Sequence, residues 1–351
     1  MKKYAAVLAV LSVLFTCVFA LFATVPAEAA DSGVIKFAHS ESEIDILTTP
    51  YYVVTSVFKS VVETETNGRW KVQVFPNHQL GDVMDLMEQC ARGTIQMTTA
   101  QNPAEIASVY PRAQLLEMPY AFSDLSVARK FLDGAWTKAL NADMADKAGI
   151  RALVWMPSAF RSYANNVREV KTPEDMKGLK IRVQTAPIHV ETAKALGAIA
   201  TPIPWGELYT AVQTKVVDGY DNAPYGLLLI KLEEITKYFT LDNHCINVMP
   251  IMINEKFYQS LSPEDQRIVN HAAREAATAF LGVIRATEAR DLEFFTKEKG
   301  IKVTSLTQEE FKQFRELAQP AIIEMLGKSL GEGAVGEFLD AVAKNEQEAY
   351  Q

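Results

Sequence analysis

The run Leu179-Lys180-Ile181-Arg182-Val183-Gln184 sets an arginine between two apolar residues, near the carboxyl end of a strand-like segment. Ile181 and Val183 face one way, so Arg182 points to the other. A guanidinium presents a planar fork of donors that matches a carboxylate bidentately, and it keeps its charge. Two readings stay open here, an anchor for an anion or one half of a structural ion pair. Arg161 follows the turn-like Pro157-Ser158-Ala159-Phe160 and reads as a second anion contact or as a solvated surface cation. Trp205, at the start of Pro204-Trp205-Gly206-Glu207-Leu208-Tyr209, walls a pocket or packs in the core. Asn222 closes the turn-like Gly219-Tyr220-Asp221-Asn222 and offers both a donor and an acceptor, although asparagine is common in turns.

No spacing in the chain assembles a catalytic or metal centre. There is no GxSxG, no P-loop and no GxGxxG after a strand. His39, His78, His189, His244 and His271 show no ligand spacing such as HExxH, and no cysteine sits in a CxxC. The expectation is a protein with no cofactor and no metal. Cys90 and Cys245 leave one disulfide open in an oxidising compartment, but their distance in sequence does not show that they meet.

The elements that must position these groups alternate. Val34–Ala38, Trp70–Phe75 and Thr94–Thr99 read as strands, separated by a helix from Thr49-Pro50 to about Asn67 and another over Asp82–Ala91. Short links between them imply a parallel sheet whose ligands collect beyond the carboxyl strand ends, where His39-Ser40 and Gln101-Asn102 stand. A helix from about Ser126 to Asp146 leads to a strand at Ile150–Trp155. A second block follows: strands at Leu179–Gln184, Ala198–Ile203 and Val216–Asp218, with helices at Ile188–Leu196 and Trp205–Thr214. Ser262-Pro263-Glu264-Asp265 caps a helical pattern with no further proline before Gly300. At 1.5 Å per residue it runs roughly 55 Å, either as one rod across two lobes or as two helices kinked near Gly282. Ile301–Val303 reads as a strand, Thr307 with Glu310 as a capping box, and Gly331–Gly336 as a loop before a last helix.

The 351 residues, 48% hydrophobic and 22% charged, suit a globular protein of two ordinary domains or one large one. A formal net charge of −8 argues against a basic nucleic-acid surface. Lys2 and Lys3, an apolar run to about Val25 and Ala27-Glu28-Ala29 make residues 1–29 read as a signal peptide cut near Ala29. A retained anchor is the other reading of an apolar run this long.

Three stretches then carry a family likeness: Phe75-Pro76-Asn77-His78-Gln79-Leu80-Gly81, Thr172–Val183 (TPEDMKGLKIRV) and Gly197–Gly219 (GAIATPIPWGELYTAVQTKVVDG). In their order and spacing the chain resembles, over nearly all its mature length, the solute-binding receptors of TRAP (tripartite ATP-independent periplasmic) transporters, the DctP-like family. The resemblance implies that Arg182 pairs with a solute carboxylate and that Arg161 is a second ligand contact. It places Asn222 at the Asn of a usual VDGQEN motif, Trp205 where an aromatic packs on the ligand, and Thr185 at a polar contact. Ser40 and Gln101 match ligand-lining positions of the first lobe, and Met249 matches a polar contact in some acid-sugar receptors. The departures are VDGYDN for VDGQEN, Gln101 for a frequent acidic residue, and an apolar Met249. They point away from a sialic-acid-like solute towards a smaller or more apolar organic acid.

The fold so implied is α/β, a two-lobed periplasmic-binding-protein fold (type II-like) with an interlobe cleft and a long helix spanning both lobes. Lobe I would take residues 30–159 and 248–285, and lobe II 160–247 and 286–351. The implied role is delivery of a small carboxylate solute in the periplasm to the small and large membrane subunits of a TRAP permease. A ligand-sensing subunit on the same fold and a periplasmic enzyme acting on organic acids are the alternatives.

Overall fold

Capped helices alternating with short apolar strands build one mixed sheet in the computed structural model, which describes residues 32–41, 43 and 50–349. The signal-peptide reading and the Thr49 cap lie outside the described residues. The strands are β1 (Gly33–Ala38), β2 (Trp70–Phe75), β3 (Met97–Thr99), β4 (Ile150–Asn165), β5 (Lys180–Val183), β6 (Ile199–Pro202), β7 (Gly219–Asn222), β8 (Tyr238–Asn254) and β9 (Lys302–Ser305). Among the described residues their order is β2-β1-β3-β8-β4-β7-β5-β6, with β9 added on β8. β1 is parallel to β2 and β3, and β5 is parallel to β6 and β7.

The two parallel groups are joined by the long antiparallel pair β4 and β8. The carboxyl end of β8 pairs with β3, while the carboxyl end of β4 pairs with β7. Three register shifts interrupt the β4–β8 ladder, at Ala152/Val154, Pro157/Ala159 and Arg161/Tyr163. Each shift bends the ladder locally and increases its twist.

A 35-residue helix, Pro263–Lys297, crosses the molecule without a break. Its Ser262 cap accepts from the Asp265 N–H at 3.1 Å, and Pro263 stands at the first helical position. Phe280 joins one core cluster with Phe37, Phe58 and Ile251, and Phe295 joins another with Tyr220 and Phe239. The single-rod reading is the one found. The helix is continuous through Gly282, and a Cβ added there would meet nothing within 4 Å. The Gln308–Leu330 helix also serves two clusters, through Phe314 and through Ile322 with Leu326. The last helix, Glu332–Ala349, returns Phe338 against Phe122, Phe131 and Trp136.

Several sequence expectations change. Arg161 lies in a strand, not a turn: β4 runs on through Pro157, whose missing N–H is tolerated at the edge of a register shift. Gly219-Tyr220-Asp221-Asn222 is itself strand β7, and Val216–Asp218 precedes it. A Cβ on Gly219 would come 2.1 Å from the Ala164 carbonyl oxygen, so the strand approaches β4 only because this residue is glycine. The helix expected over Ser126–Asp146 is two helices, Leu125–Leu132 and Ala135–Ala148. The Gly331–Gly336 loop is reduced to Gly331, since the last helix begins at Glu332. Cys90 and Cys245 are both buried and free.

Candidate functional site

Arg182 sits on β5 with 1% of its surface exposed. Its Nε donates to the Ile203 carbonyl at 2.8 Å, while the buried Nη1 has no hydrogen-bond partner among the described residues. Burial pulls the guanidinium down to about 10, which still leaves it positive at neutral pH. It looks into a cavity of about 370 Å³, a size that suits a small solute.

Ser40, Gln101, Thr185 and Trp205 line the same cavity. Each follows a strand of one of the two parallel groups: Ser40 after β1, Gln101 after β3, Thr185 after β5 and Trp205 after β6. The cavity therefore lies where the carboxyl ends of both groups converge, the place a parallel sheet leaves for a ligand. Contacts cross it as well. The Asn102 amide donates to the Gln184 amide oxygen at 2.5 Å, and Glu41 accepts from Trp205 and Gln101.

Arg161 has a different setting, 2% exposed and locked in place. Its Nε and Nη2 both lie 2.7 Å from the Asp221 carboxylate, and Nη2 also reaches the Asp221 carbonyl at 3.0 Å. His244 bridges Asp242 at 3.0 Å and Asp221 at 3.4 Å, and the Tyr120 hydroxyl donates to Asp242 at 3.1 Å. The Arg161 cation and His244 hold the Asp221 carboxyl far below the usual carboxylate range against its burial, and the flanking aspartates raise His244 well above its ordinary value. Arg161 is not among the residues lining the cavity. It is not a solvated surface cation either.

Two further residues singled out in the sequence also stand apart from the lining. Asn222 is buried in β7, and its side-chain oxygen accepts the Ala223 N–H at 2.8 Å. Its amide packs where a Cβ on Gly226 would come within 2.5 Å. Met249 is fully buried in the cluster that holds Phe37 and Phe280.

Glu105 lines the cavity and Glu41 is buried beside it, though neither was singled out from the sequence. Burial pushes both carboxyls up to about 7. The one local signal for Glu105 was Asn102-Pro103, a cap and first-turn proline that open the Pro103–Ser108 turn; the Asn102 side chain accepts the Ala104 N–H at 3.1 Å. A possible metal group also gathers away from the lining. Ligand atoms of buried Glu117, His189 and Cys245 lie within 4.8 Å of one another. His189 Nε2 is 3.0 Å from a Glu117 oxygen. Distances in sequence hid this trio.

Comparison with known proteins agrees with this architecture. Residues 38–329 match the family model for bacterial extracellular solute-binding protein, family 7 (DctP). The chain is 34% identical to the ectoine/5-hydroxyectoine-binding periplasmic protein UehA of Ruegeria pomeroyi, over 86% of this chain and 88% of that one. It is 28% identical to the 2,3-diketo-L-gulonate-binding periplasmic protein YiaO of Escherichia coli, over 88% and 90% respectively. Among solved structures, the sugar acid binding protein DctPAm of Advenella mimigardefordensis in complex with galactonate superposes with a TM-score of 0.81 at 29% identity, covering 90% of this chain and 99% of that one. The chain belongs to extracellular solute-binding protein family 7, the periplasmic solute receptors of TRAP transporters.

Proposed function

We propose that this protein captures a small organic acid between its lobes and hands it to the small and large membrane subunits of a TRAP permease, performing no chemistry of its own. In this reading the chain is exported and cut near Ala29, and the lobes meet where β4 and β8 cross, near 159/160 and 247/248. Arg182 is the anchor for the solute carboxylate. Ser40, Gln101, Thr185 and Trp205 complete the wall, and Arg161, Asn222 and Met249 act from behind it by holding the strands that carry it.

The observation that carries this reading is the unfinished coordination of Arg182. A buried guanidinium with an unpaired Nη1 at the wall of a cavity is costly unless an anion arrives to complete it. Relatives named for binding 2,3-diketo-L-gulonate and galactonate support an acid as the guest.

The test is to identify the solute that co-purifies with the mature protein by mass spectrometry. Its affinity for wild type, Arg182→Ala and Arg182→Lys is then measured by calorimetry. Alanine should cost about 30-fold to several thousand-fold, and lysine should recover only part of that. Unchanged affinity in both variants would remove Arg182 from the site.

A further inference from the structure

The cavity that offers one fixed cation is otherwise acidic. Asp82, Glu105 and Glu207 line it alongside Arg182, and Glu41 is buried next to Gln101 and Trp205. Asp82 and Glu207 are exposed, and Asp82 is matched by His78 at 2.8 Å. Glu105 feels Arg182 across the cavity, but no basic side chain lies within ion-pair distance of Glu105 or Glu41 among the described residues. Glu105 accepts the backbone N–H of Gln101 at 2.7 Å, and Glu41 accepts only neutral donors, from Gln101, Trp205 and Ser40. Carboxylates withdrawn from water without a cation are costly to ionise, and both of these are held up to about 7.

A guest with two carboxylates would set its second negative charge against these acids. A guest rich in hydroxyls would bring no charge to balance these acids, and each lining glutamine already spends one end, Gln101 its N–H on Glu41 and Gln184 its oxygen on Asn102. Beside Ser40, His78 and Thr185, the wall carries the apolar surfaces of Val83, Met84, Pro204 and Trp205. An aromatic and aliphatic wall beside an unmatched carboxylate suits a positively charged nitrogen carrying alkyl or ring carbons.

We infer that the solute is a zwitterion, whose carboxylate meets Arg182 and whose cationic nitrogen meets Glu105 with Glu41 in support. This rests on the carboxylate reading of Arg182 and specifies the other end of the same guest. Ionised at that end by its own ligand, the site would be electrically complete only when loaded.

Matched pairs that differ in one charge and hardly in shape test it. Glycine betaine is set against 3,3-dimethylbutyrate, proline against cyclopentanecarboxylate, and pipecolate against cyclohexanecarboxylate, with choline as a cation lacking a carboxylate. Thermal shift and calorimetry are run at about pH 8, where both glutamates ionise readily. In at least one pair the zwitterion should bind at least about tenfold more tightly than its uncharged-end partner, and Glu105→Gln should bring the two within about threefold. Carboxylates that bind as well as or better than their zwitterionic partners would overturn the inference and leave the Arg182 anchor standing. Choline binding while every carboxylate fails, or silence from all three pairs, would remove the anchor and the inference together. The wild-type comparison decides the matter even if Glu105→Gln folds poorly.

Discussion

Arg161 and Arg182 are two equally buried guanidinium groups, and they differ in what surrounds them. Arg161 is held by Asp221 and Asn247, with His244 and Asp242 behind, so its own charge has a counterpart inside the protein. Arg182 spends its Nε on a single carbonyl and keeps a buried Nη1 unspent at the cavity wall. Saturation makes the first a fastener of the β4–β7 junction. Incompleteness leaves the second open to a partner from outside the chain. Burial alone distinguishes neither; the partner count does.

The contrast can be broken most directly at the fastener. Arg161→Ala should destabilise the fold by about 3–5 kcal/mol, because it leaves Asp221 buried without its main counterion. Urea denaturation reads this, and a loss under about 1 kcal/mol would mean that Arg161 is not what holds the junction. Arg182→Ala should behave in reverse. It should weaken solute binding by about 2–5 kcal/mol while unliganded stability moves by less than about 1 kcal/mol. If its melting curve without solute fell as far as that of Arg161→Ala, the two arginines would have the same role.

The acids beside Arg182 sharpen the comparison through pH. Glu41 has an ordinary value of 4.5 and is raised to about 7 in the fold, so its contribution is fully present below pH 4.5 and is lost as pH rises to about 7. Glu105 adds a second limb of the same sign, so stability should fall by about 1 kcal/mol per pH unit for each acid in unliganded protein, and Glu41→Gln should remove about half of the slope in melting temperatures taken across the range. Asp221, held low, works in the opposite direction and loses its contribution only in strong acid. The smallest effect is expected at the contact between Asn102 and Gln184 across the cavity. Gln184→Ala should cost about 0.5–1.5 kcal/mol of solute affinity through a faster off-rate. An unchanged off-rate would mean that this hydrogen bond does not help retain the guest.

Much of this fold was legible because its signals are local. Ser262-Pro263, the Thr307–Glu310 box and the left-handed Gly93 and Gly149 mark helix ends where the chain alone would place them. The place of Arg182 on a short strand was legible for the same reason, as a charge alternating with buried apolar neighbours. Arg161 was not, because the partner that buries it lies 60 residues away and Pro157 disguises the strand that carries it. Glu105 was invisible for a related reason. It sits in a 3-10 turn with no periodicity, and its meaning comes only from Arg182 on the other parallel group. Asn222 looked like a turn residue because Gly219 begins its strand, and the close packing that demands that glycine is set by β4.

The Pro263–Lys297 rod has a mechanical meaning. Its Phe280 and Phe295 are seated in separate apolar sockets, so the two halves of the molecule are tied to one stiff member. A movement of one half against the other would have to bend that member or turn it within a socket, because both anchors are fully buried. The stiffness of a single helix would bear on any such movement, and Gly282 lies between the two anchors, close to Phe280.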